Sequence, residues 1–215
     1  MLLFPTAGGD AEEAERFQMI DALSGLLAAG RVKVYSVDSI AGRSWLRGDD
    51  PRHAMWLQNA FDRCLAEEVV PAIHADCGDS RLEIVSAGAS VGAFWALEVL
   101  TRHPEMYKAA ICMSGTYDLS DRLGGHWGDD FYFSSPIHYL PGLGEGWQLD
   151  MLRRRFVLFA VGGGDWERPE RTWRMADVLG AKGIPNRVDQ WDQRYPHDWP
   201  TWREMLPGYL AELVD

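Results

Sequence analysis

One short stretch limits the architecture of this chain more than any other. Leu82 to Ala87 is an apolar, β-branched run that reads as a strand; Gly88, Ala89, Ser90, Val91 and Gly92 follow with no spacer; and Ala93, Phe94, Trp95, Ala96 and Leu97 open a helix. A strand that enters a helix through G-x-S-x-G must turn sharply. The serine then takes a strained backbone position, the flanking glycines let strand and helix approach, and the hydroxyl projects from the C-terminal edge of a sheet. A helix starting there also presents the backbone N–H of Val91 to a developing oxyanion. With 22 glycines in 215 residues, a given serine is flanked this way by chance about once in 100, so the strand-turn-helix setting carries the information.

The rest of the chain repeats the alternation of short apolar runs with long amphipathic stretches, which predicts one α/β domain over residues 1 to 215 with a mostly parallel sheet. The expected strands are Met1 to Phe4, Val32 to Asp38, Leu82 to Ala87, Ala109 to Ser114, Phe156 to Val161 and Arg187 to Trp191. Phe17, Ile20, Leu23 and Leu27 recur at helical spacing and predict a helix over Ala11 to Ala29, with Asp10 and Glu13 as a capping box and Gly30 as its stop. Leu57, Phe61, Leu65, Val69 and Ile73 predict a second helix over Pro51 to His74. A third runs from Ser90 to His103, and two more cover about Pro169 to Gly183 and Pro200 to Val214. Between about 116 and 151 the pattern dissolves into Gly, Pro, Asp and aromatics, the composition of a lid-like loop insertion.

A serine nucleophile needs a base, and the base needs a carboxylate to hold its tautomer. Both occur where strands end. The run Phe156 to Val161 stops at Gly162, Gly163 and Gly164 and delivers Asp165, with Glu167 as the reserve acid; the next strand leads through Asp192 to Pro196 to His197 ahead of the last helix. The order Ser90, Asp165, His197 fits a Ser-His-Asp triad. His53, His74, His103, His126 and His138 read as structural, and the ten tryptophans read mostly as core. Trp95, five residues after Ser90 on the same helix, is a candidate wall of the substrate pocket. The loop Pro5, Thr6, Ala7, Gly8, Gly9 after the first strand lies where a second oxyanion donor is expected.

Charge and motif content narrow the ligand. A net charge of −11 offers no basic footprint for nucleic acid and favours a small, neutral substrate. G-x-x-x-x-G-K-S/T is absent, and Asp10, Glu12 and Glu13 would repel a phosphate at the loop after the first strand. No metal-ligand spacing appears, so no metal and no cofactor is expected. Cys64, Cys77 and Cys112 are an odd set without CxxC and read as reduced thiols. The first residues lack a basic n-region and a long apolar run, which predicts a cytoplasmic chain with no membrane segment.

At these residues the chain resembles the esterase D-like branch of the α/β hydrolases, which includes S-formylglutathione hydrolases, feruloyl esterases and enterochelin esterases. The resemblance rests on Phe4 to Gly9, on Gly88 to Gly92, on His103, Pro104 and Glu105 leading to Ser114 and Gly115, on Gly162 to Asp165, and on Pro196, His197, Asp198, Trp199 and Trp202. It implies an α/β-hydrolase three-layer sandwich, here shortened at the N-terminus to about six strands. By the same resemblance Ser90 is the nucleophile, His197 the base, Asp165 the acid, and the N–H groups of Ala7 and Val91 the oxyanion hole. The expected activity is hydrolysis of a carboxylic ester by a serine esterase. An acyltransferase, or a hydrolase fold that only binds, would share the scaffold; a nucleotide binder on a doubly wound sheet is a further alternative.

Two departures from the family pattern stand out. Ala93 replaces a common glycine, and the two strands that usually precede the oxyanion-loop strand are missing. Their loss leaves Val32 to Asp38 as an apolar open edge, which predicts either a homodimer that covers it or a less stable chain.

Overall fold

The computed structural model describes residues 1–123 and 125–214; Gly124, inside the lid-like stretch, and Asp215 lie outside the described residues. Six strands form one sheet: β1 (Leu2–Phe4), β2 (Tyr35–Ser36), β3 (Ile84–Ala89), β4 (Tyr107–Met113), β5 (Phe156–Val161) and β6 (Asn186–Gln190). Their order is β2-β1-β3-β4-β5-β6, and every pairing is parallel. The alternation of elements anticipates this parallel α/β architecture, and its six strands match the number that the family resemblance implies. The six loops that leave a strand for a helical segment therefore open on one edge.

The inner strands are buried on both faces, which is why they read as unbroken apolar runs. On one face Val157 and Phe159 join the helix Val91–Arg102 and the segments Pro51–Cys64 and Pro169–Ala181. On the other, Leu158 and Ala160 meet Trp202, Met205, Leu206 and Leu210 of the helix Trp199–Leu213. Pro51 to Cys77 is continuous but widens to a π-helical turn over Leu65–Val69. The ring of Pro71 cannot sit against the carbonyl four residues back, and a wider turn relieves that clash.

Four sequence expectations change. The helix over Ala11 to Ala29 is broken into Glu13–Arg16, Met19–Ala22 and Ser24–Ala28, with Gln18 left-handed at φ 61° between the first two. The Asp10–Glu13 capping box does not form, because Asp10 accepts from Glu12 N (3.0 Å) and the Glu13 carboxylate turns to Thr6. An unexpected helix, Ile40–Arg47, is capped by Ser39 Oγ accepting from Gly42 N and stopped by left-handed Gly48. The lid-like stretch contains the short helices Asp129–Ser134, Pro136–Tyr139 and Trp147–Leu152, and buries Phe131, Ile137, Leu140, Leu149 and Leu152 in the core.

A buried polar network anchors the helix that starts at Ser90. Trp95 Nε1 donates to Gln58 Oε1 (3.0 Å), Gln58 Nε2 donates to Glu98, and Arg102 reaches Glu98 (3.3 Å), Asp62 (3.1 Å) and Ser134 Oγ (3.0 Å). Burial, reinforced by the Asp62 charge, pushes the Glu98 carboxyl well above the usual range against the pull of Arg102. The folded chain thus holds this proton more tightly than the unfolded chain, so Glu98's stabilising share is complete at low pH and shrinks as pH rises above the ordinary carboxylate range. Glu98→Gln should flatten that decline: the loss of unfolding free energy in urea between about pH 5 and about pH 8 becomes smaller than in the native chain. An identical loss in both would contradict the assignment.

Candidate active site

The turn after β3 has the strain expected of it. Ser90 sits at φ 57°, ψ −119°, a conformation costly for any side-chain-bearing residue, and it is held from both sides. Its N–H donates to Met113 O (2.9 Å), and its carbonyl accepts from Thr116 N (3.0 Å). A Cβ on Gly88 would collide with the Gly92 backbone, and one on Gly92 would lie 2.6 Å from Pro5 O. The second contact seats the loop after β1 directly against the elbow. Val91, first in its helix, has no intrahelical acceptor for its N–H, and Ala7 N–H makes no hydrogen bond among the described residues.

The loops after β5 and β6 are stitched together by backbone. Gly163 N donates to Asp192 O (3.1 Å), Gly164 N to Tyr195 O (3.0 Å) and His197 N to Asp165 O (2.9 Å). The triglycine exists for this contact, since a Cβ at Gly162 would overlap Tyr195 O and one at Gly164 would lie 2.8 Å from Gln193 O and Pro196 N. His197 is thereby fixed over the acid turn.

The carboxylate that meets His197 belongs to Glu167. Its Oε2 lies 3.5 Å from His197 Nδ1, and its side chain is 1% exposed. Asp165 is exposed, and the bond that ties it to His197 among the described residues is from His197 N to its backbone carbonyl. The reversal comes from Trp166, which is left-handed at φ 67° and turns the chain so that position 167 rather than 165 faces inward. Glu167 Oε1 accepts from Ser114 Oγ (2.5 Å), and Ser114 Oγ accepts from Trp202 Nε1 (2.9 Å). The Trp202 ring also meets the His197 ring edge-on at 5.1 Å. Neither Ser114 nor Trp202 stood out as a site residue from pattern alone; the positive φ of Ser114 (48°) beside Gly115 at the end of β4 is the feature that aims its hydroxyl. Strand order therefore sets the loop after β1, Ser90, Ser114, Glu167 and His197 along one edge.

Other candidates lie elsewhere. Trp95 is fully buried, packs on Phe61 and fills the space left by Gly42, so it is core and not a pocket wall. His53 stacks on Trp56, His74 bonds Leu82 O, His103 bonds Asp62, His138 bonds Ser135, and His126 is exposed. Trp56, Trp127, Trp147, Trp166 and Trp173 are exposed, contrary to the expectation of mostly core tryptophans, because they lie on outer helix faces and turns. No helix among the described residues is long and apolar enough to cross a membrane.

Residues 48–213 match the family model described as putative esterase. The chain belongs to this esterase family. The chain is accordingly an esterase, and its structural neighbours share its α/β-hydrolase fold. A ferulic acid esterase superposes with a TM-score of 0.70 at 20% identity, over 99% of this chain and 83% of that one. An S-formylglutathione hydrolase from Agrobacterium tumefaciens gives 0.71 at 13% identity, covering 99% and 82%. A fluorophosphonate-binding serine hydrolase from Staphylococcus aureus gives 0.63 at 16% identity, covering 100% and 82%. No curated protein matches the sequence.

The Ser114 hydroxyl links the Glu167 carboxylate to Trp202, and its removal tests that link. Ser114→Ala leaves the buried Glu167 Oε1 and the Trp202 N–H without their shared partner, so urea unfolding should show a loss of about 1–3 kcal/mol. An unchanged midpoint would contradict the role of that hydroxyl.

Proposed function

We propose that this esterase cleaves a small neutral carboxylic ester through an acyl-enzyme on Ser90, with His197 as base and Glu167 as the acid that orients it. The observation that carries the reading is the contact of His197 Nδ1 with the buried Glu167 carboxylate. A carboxylate there holds the proton on Nδ1 and leaves Nε2 as the acceptor for the serine proton. Ser90 Oγ forms its bond to the ester carbonyl carbon as that proton passes to His197. The tetrahedral oxyanion is held by the free N–H groups of Ala7 and Val91. His197 then returns the proton to the leaving alkoxide, and a water repeats the sequence to release the acid and restore Ser90. The hydrogen bond from such a serine to its histidine commonly tightens only with substrate in place.

The net charge supports a neutral substrate. The chain carries −11, and a field of that sign disfavours a strongly anionic ester. The proposal also keeps the homodimer expected from the open edge, since β2 ends the sheet and Tyr35, Val37, Val69 and Ile73 line a groove of about 620 Å³ along it. Sedimentation at micromolar concentration should give a dimer; a monomer removes that part of the reading.

The acid assignment separates two variants by kinetics. Glu167→Gln should lower kcat on p-nitrophenyl acetate by about 10²–10⁴-fold, while Asp165→Asn stays within about threefold of native. The reverse ranking would return the role to Asp165. Fluorophosphonate labelling of the native chain and not of Ser90→Ala identifies the nucleophile, and no labelling of folded native protein would overturn the reading.

A further inference from the structure

We infer that Glu13 is a positioning residue for the oxyanion loop, a role that rests on the function proposed above and extends it. Glu13 opens the short helix Glu13–Arg16, yet it is only 6% exposed, which is unusual for a carboxylate on a surface helix. Both of its oxygens are used. Oε2 accepts from Thr6 N and Oε1 from Thr6 Oγ1, each at 2.7 Å. These are hydrogen bonds to an ionisable acceptor with both oxygens engaged by one residue, the geometry that fixes orientation as well as distance.

The loop is wrapped around this carboxylate. Gly9 N donates back to Thr6 O (3.0 Å), and Gly8 is left-handed at φ 79°. Gly9 is buried directly against Glu13, where any Cβ would overlap the carboxylate. The residues from Thr6 to Gly9 thus close on Glu13 from one side, while Pro5 O rests on Gly92 of the elbow from the other. Between these two anchors the Thr6 N–H is consumed and the next one, Ala7 N–H, is left without an acceptor.

A carboxylate beside a site where negative charge develops is a Coulombic cost. What offsets it is order: a Thr-Ala-Gly-Gly loop without an anchor would sample many conformations, and a donor that must be oriented at the moment of reaction forfeits its advantage. Glu13 does not touch the substrate in this account. It acts by holding Thr6, and through Thr6 the peptide that carries Ala7 N–H.

The test compares Glu13→Ala, Glu13→Gln and Thr6→Val with native enzyme on p-nitrophenyl acetate. Complete loss of one oxyanion donor costs about 10²–10³ in kcat, so a loosened donor should cost about 10–100-fold in Glu13→Ala with KM nearly unchanged. Glu13→Gln keeps an acceptor for Thr6 N and removes the charge, so it should restore most of kcat. Affinity for a trifluoromethyl ketone, which forms an oxyanion on Ser90, should fall in Glu13→Ala in proportion to kcat/KM, whereas affinity for the unreactive methyl ketone should not. A role confined to stability would leave that ratio unmoved in folded protein. Native kcat and native ketone affinity in folded Glu13→Ala would overturn the inference while leaving the proposed reaction intact; an inactive, unlabelled native enzyme would overturn the reaction itself. Should Glu13→Ala fail to fold, Thr6→Val decides, with a partial fall in kcat and ketone affinity expected and native values of both contradicting the inference.

Discussion

The structure depends on backbone approaching backbone more closely than a side chain would allow. At the elbow, Gly88 and Gly92 let β3, its helix and the loop after β1 share one point, with Pro5 O in contact with Gly92. At the acid turn, Gly162 and Gly164 let the loop after β5 lie against the peptide of Tyr195 and Pro196. The first contact fixes the loop after β1 to the turn after β3, and the second fixes the loop after β5 to the loop after β6, before any side chain is considered. In the reaction proposed above, that order leaves the hydroxyl, the imidazole and the N–H donors little freedom to lose.

Around those contacts the chain stores strain and buries charge where the site needs direction. Ser90, Ser114 and Trp166 all have positive φ without being glycine, the first two directly after β3 and β4 and the third in the loop that follows β5. Such residues persist only when the surroundings over-determine them. Here the surroundings are hydrogen bonds: Ser90 to Met113 and Thr116, Ser114 to Ala160, Glu167 and Trp202. Deeper in the molecule the network of Gln58, Glu98, Arg102 and Asp62 ties the elbow helix to its neighbours and to Ser134 of the segment above. The elbow is therefore braced from below as well as from its flanks.

Much of this was legible in the sequence because it is local. The periods of apolar residues mark the inner strands, and G-x-S-x-G between a strand and a helix marks Ser90. His197 is marked by its place between the last strand and the last helix. What escaped depends on the sign of one dihedral angle or on distant packing. Asp165 and Glu167 share one turn, and only the left-handed conformation at Trp166 decides which of them faces His197. Glu13 has the spacing of a capping residue, but the loop after β1 folds back onto its carboxylate and takes it. Trp95 lies within reach of Ser90 along the chain, yet it points to Gln58 and the core, a direction that periodicity does not supply. Ser39 and Gly48 did carry the cap and stop of the helix Ile40–Arg47, and Ala41 and Trp45 bury one face at helical spacing, but over eight residues the pattern spans only two turns.

The central claim is that one sheet edge assembles a serine, a histidine oriented by Glu167, and two backbone donors into a working ester-cleaving site. A crystal structure of the enzyme after reaction with a fluorophosphonate tests it most directly. The account predicts phosphorus bonded to Ser90 Oγ, the phosphonyl oxygen within hydrogen-bond distance of the N–H groups of Ala7 and Val91, and His197 Nδ1 on the Glu167 carboxylate. An adduct on another residue, an oxygen turned away from those donors, or Asp165 in the place of Glu167 beside His197 would contradict it.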